Sequence, residues 1–397
     1  MPTTIRIEEP SRAVPDKPGW DAAFSYAFRP FYLLAAAQAA LFVALWAFGI
    51  GGSQAIPGFL WHGHEMIWGY AGAIIVGFLL TAAASWTGQP PMRGAALAGL
   101  VLVWLLARVA LLAVPGSNLP GGLLSVLFFV AAAVCLALPI VRTRNTRNYV
   151  VILLLLMLAA ANLVFHLALA GLIQNDLRAM LHVGLLLVAV VIFFMGTRVI
   201  AFFTSRGLQI PQVTNNATMV VLSVGLPLGM AIGVAVGAHT WLVAAVGVTG
   251  GLLNLIQLGR WWHSGALRVP LLWVLFAGYG CTALGTALYG LAYAILPGYM
   301  STALHVIAVG GIGVLTLGMM TRTALGHTGR PLQAPSPLPF AFGLLLLATV
   351  LRLVAGFWMP SNPELVIASG LVFSAAFCLF LFRLGPWLAK PRADGRP

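Results

Sequence analysis

Long runs of apolar residues, separated by short polar stretches, follow one another along almost the whole chain. A helix that crosses a bilayer core needs about 20 apolar residues, and none of the runs alternates as a transmembrane β-strand would. The pattern therefore predicts an all-α integral membrane protein with twelve transmembrane helices, called segments 1 to 12. Their predicted bounds are 31–50, 62–84, 94–114, 121–141, 148–172, 178–203, 216–237, 240–258, 269–296, 299–322, 337–358 and 363–386.

The composition supports the same class. Of the 397 residues, 61 % are hydrophobic and 7 % are charged, whereas soluble domains contain about 25 % charged residues. We expect a cytoplasmic N-terminal tail at 1–28, a single transmembrane domain at 29–388 and a cytoplasmic C-terminal tail at 389–397. The polar start of the chain lacks the pattern of a cleavable signal peptide.

The distribution of basic residues predicts the orientation. The net charge of +13 is spread over short loops, so we interpret it as a topology signal and expect no nucleic acid partner. Basic residues concentrate in the tails and the even-numbered connections, whereas connections 51–61 and 113–120 contain none. The positive-inside rule then predicts that both termini are cytoplasmic.

Segments 6 and 10 resemble each other. They read "LHVGLLLVAVVIFFMGTRVIAFFTSRG" and "LHVIAVGGIGVLTLGMMTRTALGHTGR", each with a histidine near the outer end and a Thr-Arg pair further on. Segment 2 follows a looser version, and its His64 lies about four helices before His182, as His182 does before His305. This spacing favours three repeated four-helix units. Chance similarity among helices rich in Leu, Val and Gly is the alternative.

Five of the eight histidines are predicted at one depth, in the outer third of the membrane. They are His62, His64, His166, His182 and His305. Ionisable residues inside spans are rare and usually face the bundle interior, and neutral imidazole is a common ligand of metals and of haem iron. We therefore predict that these five bind cofactors. Structural histidines, bonded across helices, are the alternative.

The start of segment 2 limits how its histidines can act. His62 and His64 point about 200° apart on an ideal helix, so one faces a different centre, or the helix begins after them. We expect His64 to be a metal ligand, together with His182 and His305, without assigning haem or copper. Glu65 is expected to support His64 by orienting its imidazole, as carboxylates near metal ligands do.

Three arginines next to these histidines or inside apolar segments need an explanation. Arg178 lies on the same helix face as His182, so it is predicted either to support a haem through its propionates or to pair with Asp176 in solvent. Arg108 and Arg352 lie in the outer halves of segments 3 and 11. Each needs a partner or must reach outward to water.

Three motifs, in this order, resemble the NnrS family over essentially the whole chain. They are "FRPFYLLAA" at 28–36, "WHGHEMIWGYAGAIIVGFLLTA...WTG" at 61–88 and "GHTGR" at 326–330, the last within "LGMMTRTALGHTGRP". Membership would imply a bacterial inner-membrane protein with haem and copper, involved in nitric oxide metabolism, denitrification and resistance to nitrosative stress.

The resemblance carries over only part of the site. His62, His64, Glu65, His327 and Arg330 occupy family-motif positions, whereas the other histidines depend on the depth prediction alone. An oxidoreductase acting on nitric oxide or its iron adducts is one implication, with the catalytic residues and the electron donor left open.

Other functions stay open from the sequence. Three groups of four helices are also similar to the catalytic subunit of haem-copper oxidases, but segment 7 has no His-His pair and segment 10 has one histidine where that group has two. A transporter or channel for a metal or anion would need polar positions deeper in the bilayer, and Thr81, Asn254 and Gln257 are among the few. A sensor or maturation protein for denitrification enzymes is the third possibility.

Overall fold

The computed structural model describes residues 18–114 and 117–395, which are all-helical and contain no β-strand. Twelve helices in this part of the chain are long and apolar enough to cross a membrane, which confirms the predicted class. We number them α1 to α12. They are Phe28–Ala47, Gly58–Thr87, Gly94–Ala113, Leu119–Arg142, Thr146–Leu169, Leu177–Leu208, Ala217–Ala235, Thr240–Trp261, Pro270–Ala294, Pro297–His327, Leu338–Phe357 and Pro363–Ala389.

The helix ends follow from local chemistry. Asp176, Asn216 and Asn362 lie before α6, α7 and α12, and each accepts a hydrogen bond from a backbone N–H of the first turn. Such caps satisfy donors that have no partner inside the helix. The helix α2 ends before Gly88, which has a φ of +64°, a conformation that glycine adopts without steric strain. The predicted bounds agree with these helices to within five residues.

Three helices form the centre of the bundle. In the most apolar stretch of α2, α6 and α10, 83 %, 72 % and 72 % of the residues are buried, compared with 28 % in α7. The outer helices surround them in chain order, and α12 packs against α1. A hydrogen bond of 2.5 Å between the hydroxyls of Tyr70 and Thr316 joins α2 to α10. The three helices with the repeated histidine thus meet, while the division into repeats stays a prediction.

Two of these inner helices change their hydrogen-bond register. In α2 an α-helical turn ends at His64 and a π-helix covers Glu65–Ala71. In α10 the α-helix ends at His305 and a π-helix covers Val306–Gly313. Short π-helical stretches are rare and often occur at functional sites. Two of the predicted ligands thus lie directly before a π-helix.

The two described ends of the chain lie on the same face of the bundle. The guanidinium of Arg29 donates to the backbone carbonyls of Leu388 and Lys390, at 3.1 and 2.6 Å. Arg392 donates to the carbonyl of His327 at the end of α10, at 3.2 Å. The residues after α12 therefore connect α1, α10 and α12, and we call these contacts the terminal clasp.

Parts of the two predicted tails, residues 1–17 and 396–397, lie outside the described residues. The described part of the N-terminal tail contains a short helix, Trp20–Ala23. Gly19 before it donates a backbone hydrogen bond to Ala389 at the end of α12. The cytoplasmic location of both tails stays a prediction.

Candidate functional site

The first site is a pair of histidines inside the bundle. His64 of α2 is fully buried and His166 of α5 is 1 % exposed. The two Nε2 atoms lie 3.0 Å apart, within hydrogen-bond distance. On its other side, the Nδ1 atom of His64 lies 2.8 Å from a carboxylate oxygen of Glu65. His64 and His166 lie at the same height in the bundle. The packing of side chains between α2 and α5 brings their rings into contact.

Glu65 connects this pair to a buried cation. Its second carboxylate oxygen lies 3.0 Å from Nε of Arg108 on α3 and accepts a hydrogen bond of 2.7 Å from the side-chain amide of Gln38 on α1. Arg108 also donates to the hydroxyl of Ser125 on α4, at 3.1 Å. Arg108 thus finds a partner inside the protein. Removing one partner of such a buried pair leaves an uncompensated charge.

A buried amide holds His166 from the other side. The side-chain nitrogen of Asn118 lies 3.0 Å from Nδ1 of His166 and 3.0 Å from the backbone oxygen of the same residue. Asn162, one turn before His166, donates to Ser125 at 2.8 Å. We call His64, Glu65, His166 and these neighbours the inner centre; its full membership is Gln38, His64, Glu65, Arg108, Asn118, Ser125, Asn162 and His166.

Two glycines make room for the inner centre. At Gly69 a Cβ atom would overlap the Gln38 amide and approach Glu65, and at Gly122 it would overlap the ring of His166. Both positions lie in helices, where alanine would be the better helix former. The absence of a side chain at Gly69 therefore allows the Gln38 amide to approach α2 closely, and the absence of one at Gly122 allows the His166 ring to approach α4.

Some polar atoms of the inner centre have no hydrogen-bond partner among the described residues. They are Nη1 of Arg108 and the side-chain oxygens of Asn162 and Gln38. Most buried polar groups in proteins are hydrogen-bonded, so unpartnered donors and acceptors beside His64 fit the presence of a small polar ligand or water.

The second site lies on the opposite face of α2. The ring of His62 stacks on Trp46 of α1, with ring centroids 5.0 Å apart and planes inclined by 13°. His305 of α10 and Arg352 of α11 both bond to Ser301, and both lie within electrostatic range of His62 without a hydrogen bond to it among the described residues. We call His62, His305 and Arg352, with Trp46 and Ser301, the outer centre. His62 and His305 are only partly buried, unlike the inner pair.

Ser301 links the members of the outer centre. Its backbone carbonyl accepts a hydrogen bond of 2.7 Å from Nδ1 of His305, and its hydroxyl accepts one of 3.0 Å from Arg352. Since a carbonyl oxygen only accepts, Nδ1 of His305 carries the proton and Nε2 is free to bind a metal. Ligating histidines commonly donate their second N–H to a carbonyl in this way.

The remaining predicted residues lie apart from both centres. His182 is within 3.2 Å of the hydroxyl of Tyr289 on α9. Arg178 uses its backbone N–H to bond the carboxylate of Asp176, and its guanidinium lies over the ring of Phe59, 5.4 Å from the centroid. Of the five histidines of the predicted layer, His64 and His166 are in contact, His62 and His305 belong to the outer centre without touching, and His182 lies elsewhere.

The start of α2 decides between the two options for its histidines. The helix begins at Gly58, before both of them, so the option in which it begins after them is wrong. His62 and His64 instead face different centres, as regular helical geometry requires. The predicted end of segment 10 at 322 is five residues too early, because α10 ends at His327, which packs on Tyr26 and Phe28.

The donor sets are small. Among residues 18–114 and 117–395, no three side chains of His, Cys, Asp or Glu are grouped so that they could hold one metal ion. His64, His182 and His305 therefore do not form a common ligand set. One or two histidines suffice as axial ligands of a haem iron. They also suit a copper ion whose other positions stay open.

The glycines after His305 are explained by packing. Gly310 and Gly311 lie against Cys281 and Thr282 of α9, and Gly313 lies against Phe373 of α12. Neighbouring helices thus occupy the space that these glycines leave.

A comparison with protein-family models places the whole bundle in one group. The model described as NnrS protein matches residues 22–392. The chain belongs to the NnrS family. No curated protein sequence matches it. The family motifs now have locations, since "HGHEM" supplies one histidine to each centre and "GHTGR" ends α10 at the terminal clasp.

The polar neighbours of the inner centre were not predicted from the sequence. Gln38, Asn118, Ser125 and Asn162 are single polar residues in or next to apolar segments, and each looks unremarkable alone. Asn162 and His166 are four residues apart and hence on one helix face, which was the available signal. The identity of the partner helix is a property of packing.

Proposed function

We propose that this NnrS-family protein binds haem and copper in a bacterial inner membrane and acts on nitric oxide or its iron adducts. The observation that carries the proposal is the pair of histidine centres on the two faces of one turn of α2. In each centre an imidazole presents one ring nitrogen to an acceptor, the carboxylate of Glu65 or the backbone carbonyl of Ser301, as ligating histidines do.

The outer centre is the better candidate for haem. Nε2 of His305 is free, and the ring nitrogens of His62 have no hydrogen bond to the described residues. Within the described residues, Arg352 donates to a serine hydroxyl and to no carboxylate. A guanidinium without a carboxylate partner suits the carboxylates of a haem, because it can form charge-assisted hydrogen bonds with them.

The inner centre is the better candidate for copper. Glu65 accepts the Nδ1–H of His64 and orients the imidazole. Nε2 of His64 faces Nε2 of His166 at 3.0 Å, and these nitrogens would hold the metal once their direct contact opens. The centre is closed to bulk solvent and its own cation is already neutralised by Glu65. When bound, the two cofactors would supply one-electron chemistry, while the residues described here orient them and exclude water.

The interior of the bundle suits a small apolar substrate. A cavity of about 70 Å³ lies between α2, α6 and α10, and its exposed wall is apolar throughout. Ile74, Phe78, Val191, Met195 and Leu315 are among its lining residues. Apolar cavities stay dry and accept apolar guests, and nitric oxide is a small neutral gas. An ion pathway would instead need polar groups at this depth.

The test measures cofactors in the purified protein and in four single variants. We expect a Soret band and copper in the parent. His305→Ala should lose haem and keep copper, while His64→Ala should lose copper by about tenfold or more and keep haem. His182→Ala and His239→Ala, the latter in an exposed loop, should keep both.

Further measurements separate the alternatives. We expect the parent, supplied with a reductant, to consume nitric oxide in an electrode chamber and both ligand variants to be impaired. A parent without haem and copper after reconstitution would overturn the proposal. Metal uptake into proteoliposomes would favour a transporter, and a cofactor-free reductase in a deletion strain would favour a maturation protein.

A further inference from the structure

An open apolar groove lies between α8, α9 and α11. Its volume of about 540 Å³ is within the range of about 300–1,000 Å³ that is usual for ligand pockets. Its lining includes Leu258 of α8, Trp262 directly after α8, Trp273 and Phe276 of α9, and Leu346 of α11. No member of the inner or outer centre is among the lining residues. The groove is therefore a separate place on the molecule with room for a ligand.

Two tryptophans form walls of this groove. The ring of Trp262 packs edge-on against Phe276, with centroids 5.1 Å apart, and Trp273 packs edge-on against Phe342 at 5.8 Å. Trp262 is 45 % exposed and follows directly after the end of α8 at Trp261. Tryptophan is enriched where a membrane protein meets the boundary between the bilayer core and the lipid headgroups. The groove thus opens at the end of a membrane-spanning helix and faces lipid.

The described side chains leave space in the groove beside Gly259 of α8. Gly259 is a lining residue, and a Cβ atom there would meet nothing within 4 Å. Gly251 of the same helix is different, because a Cβ atom there would overlap Ala283 and Ala287 of α9. Gly251 therefore serves helix packing, whereas the space at Gly259 is open to a lipid acyl chain.

The mouth of the groove is cationic. Arg260 follows Gly259, and Arg268 follows the lining residue Leu267. Both arginines are exposed, and neither makes a hydrogen bond or an ion pair with the described residues. Residues 258–268 include no Asp or Glu. Arginine binds phosphate through charge-assisted, often bidentate hydrogen bonds, and basic pockets between transmembrane helices bind anionic headgroups.

We propose that the groove binds an acyl chain of an anionic phospholipid whose phosphate group is held by Arg260 and Arg268. The apolar walls match the chain of such a lipid and the two guanidinium groups match its headgroup. A neutral quinone would fit the apolar part but would leave both positive charges without a partner, so the charge favours the phospholipid. The proposal does not depend on the binding of haem or copper.

The first test measures the selectivity for the headgroup. The detergent-purified protein is titrated with phosphatidylglycerol, or with the zwitterionic phosphatidylcholine, and bound lipid is counted by native mass spectrometry. We expect the parent to bind phosphatidylglycerol more tightly. Arg260→Gln and Arg268→Gln should each weaken this binding by about fivefold. Arg93→Gln, in another loop on the same face and also exposed, should match the parent.

Either of two results of this titration would overturn the proposal. One is equal affinity of the parent for the two lipids. The other is unchanged binding of phosphatidylglycerol in both Arg260→Gln and Arg268→Gln, which would place the lipid elsewhere on the protein.

The second test fills the groove. In Gly259→Leu the new side chain would enter the space of the acyl chain, so we expect phosphatidylglycerol binding to fall. Gly99→Leu is the matched control, because Gly99 is an exposed glycine within α3 where a Cβ atom also meets nothing within 4 Å. Equal lipid binding by the two variants would contradict the placement of the chain.

The third test locates the chain and identifies its class. Phosphatidylglycerol with brominated acyl chains should quench the tryptophan fluorescence more strongly than brominated phosphatidylcholine. We expect this difference to shrink in Trp262→Phe and to persist in Trp241→Phe, which changes an exposed tryptophan at the opposite end of α8. A short-chain ubiquinone that binds more tightly and displaces the brominated lipid would assign the groove to a quinone and overturn the proposal.

Discussion

The inner and outer centres share one arrangement of histidine, π-helix and arginine, and they differ in the residue that follows the histidine. In each, a histidine, His64 or His305, directly precedes a π-helix. In each, the next transmembrane helix contributes an arginine, and Arg108 and Arg352 are both the fifteenth residue of a 20-residue helix. The difference lies directly after the histidine, where α2 has Glu65 and α10 has Val306.

This difference sets the electrostatic character of each centre. Glu65 pairs with Arg108, and both are buried, at 1 % and 6 % exposure. Arg352 has no such carboxylate and stays half-buried with a serine partner. The inner centre is thus buried and its positive charge is neutralised by a carboxylate, whereas the outer centre is partly exposed and its arginine has no carboxylate partner among the described residues. The middle of the chain lacks the plan, because His182 lies in the uninterrupted α-helix Leu177–Leu208.

The largest effect should come from removing the carboxylate that distinguishes the inner centre. Glu65→Leu leaves Arg108 buried without a counter-charge, and we expect a loss of about 3–5 kcal/mol in stability. Thermal unfolding of the detergent-purified protein measures it. The double variant Glu65→Leu/Arg108→Leu is the control and should recover most of the loss. Equal unfolding temperatures for parent and Glu65→Leu would show that the ion pair does not distinguish the centres.

A smaller effect is expected from closing the space beside His166. Gly122→Ala would overlap the ring, so we expect a loss of about 1–3 kcal/mol, as for other overpacked sites. The outer centre should keep its haem. Gly343→Ala is the matched control, because a Cβ atom there meets nothing within 4 Å. If both variants unfold at the parent temperature, the tight fit of His166 is not a stabilising feature.

The smallest effect concerns the unpaired charge of the outer centre. We expect Arg352→Gln to lower haem retention by about tenfold, in line with ~1.5 kcal/mol for one hydrogen bond to a charged group. Arg352→Lys keeps the charge and should retain more haem. The rate at which each variant loses haem is measured by diluting the purified protein into a haem-binding competitor. Haem retention equal to the parent in Arg352→Gln would remove the proposed role of this cation.

The fold could be predicted from sequence because the bilayer sets helix length and excludes other structures. The shared height of His64 and His166, which meet in the structure, could be predicted because residue number along a helix converts directly to height. The direction in which each histidine points around its helix axis was harder to predict. The angle between His62 and His64 could be predicted because both lie on one helix.

The partners across helices were not predictable. Nothing in α2 or α5 alone indicates that His64 and His166 meet, because that contact depends on how two apolar surfaces pack. The π-helices also have no local signature in Glu65–Ala71 or Val306–Gly313. They shift the hydrogen-bond register by one residue, which is a response to neighbouring helices as much as to sequence.

The terminal clasp has a consequence for how the protein is made. Arg29, one of the first residues to enter the membrane, has its carbonyl partner at Leu388, 359 residues later in synthesis. Until α12 has emerged from the ribosome, this guanidinium must be held by water, lipid headgroups or a chaperone. The contact between α1 and α12 can therefore close only after all the helices that lie between them in the chain have been synthesised.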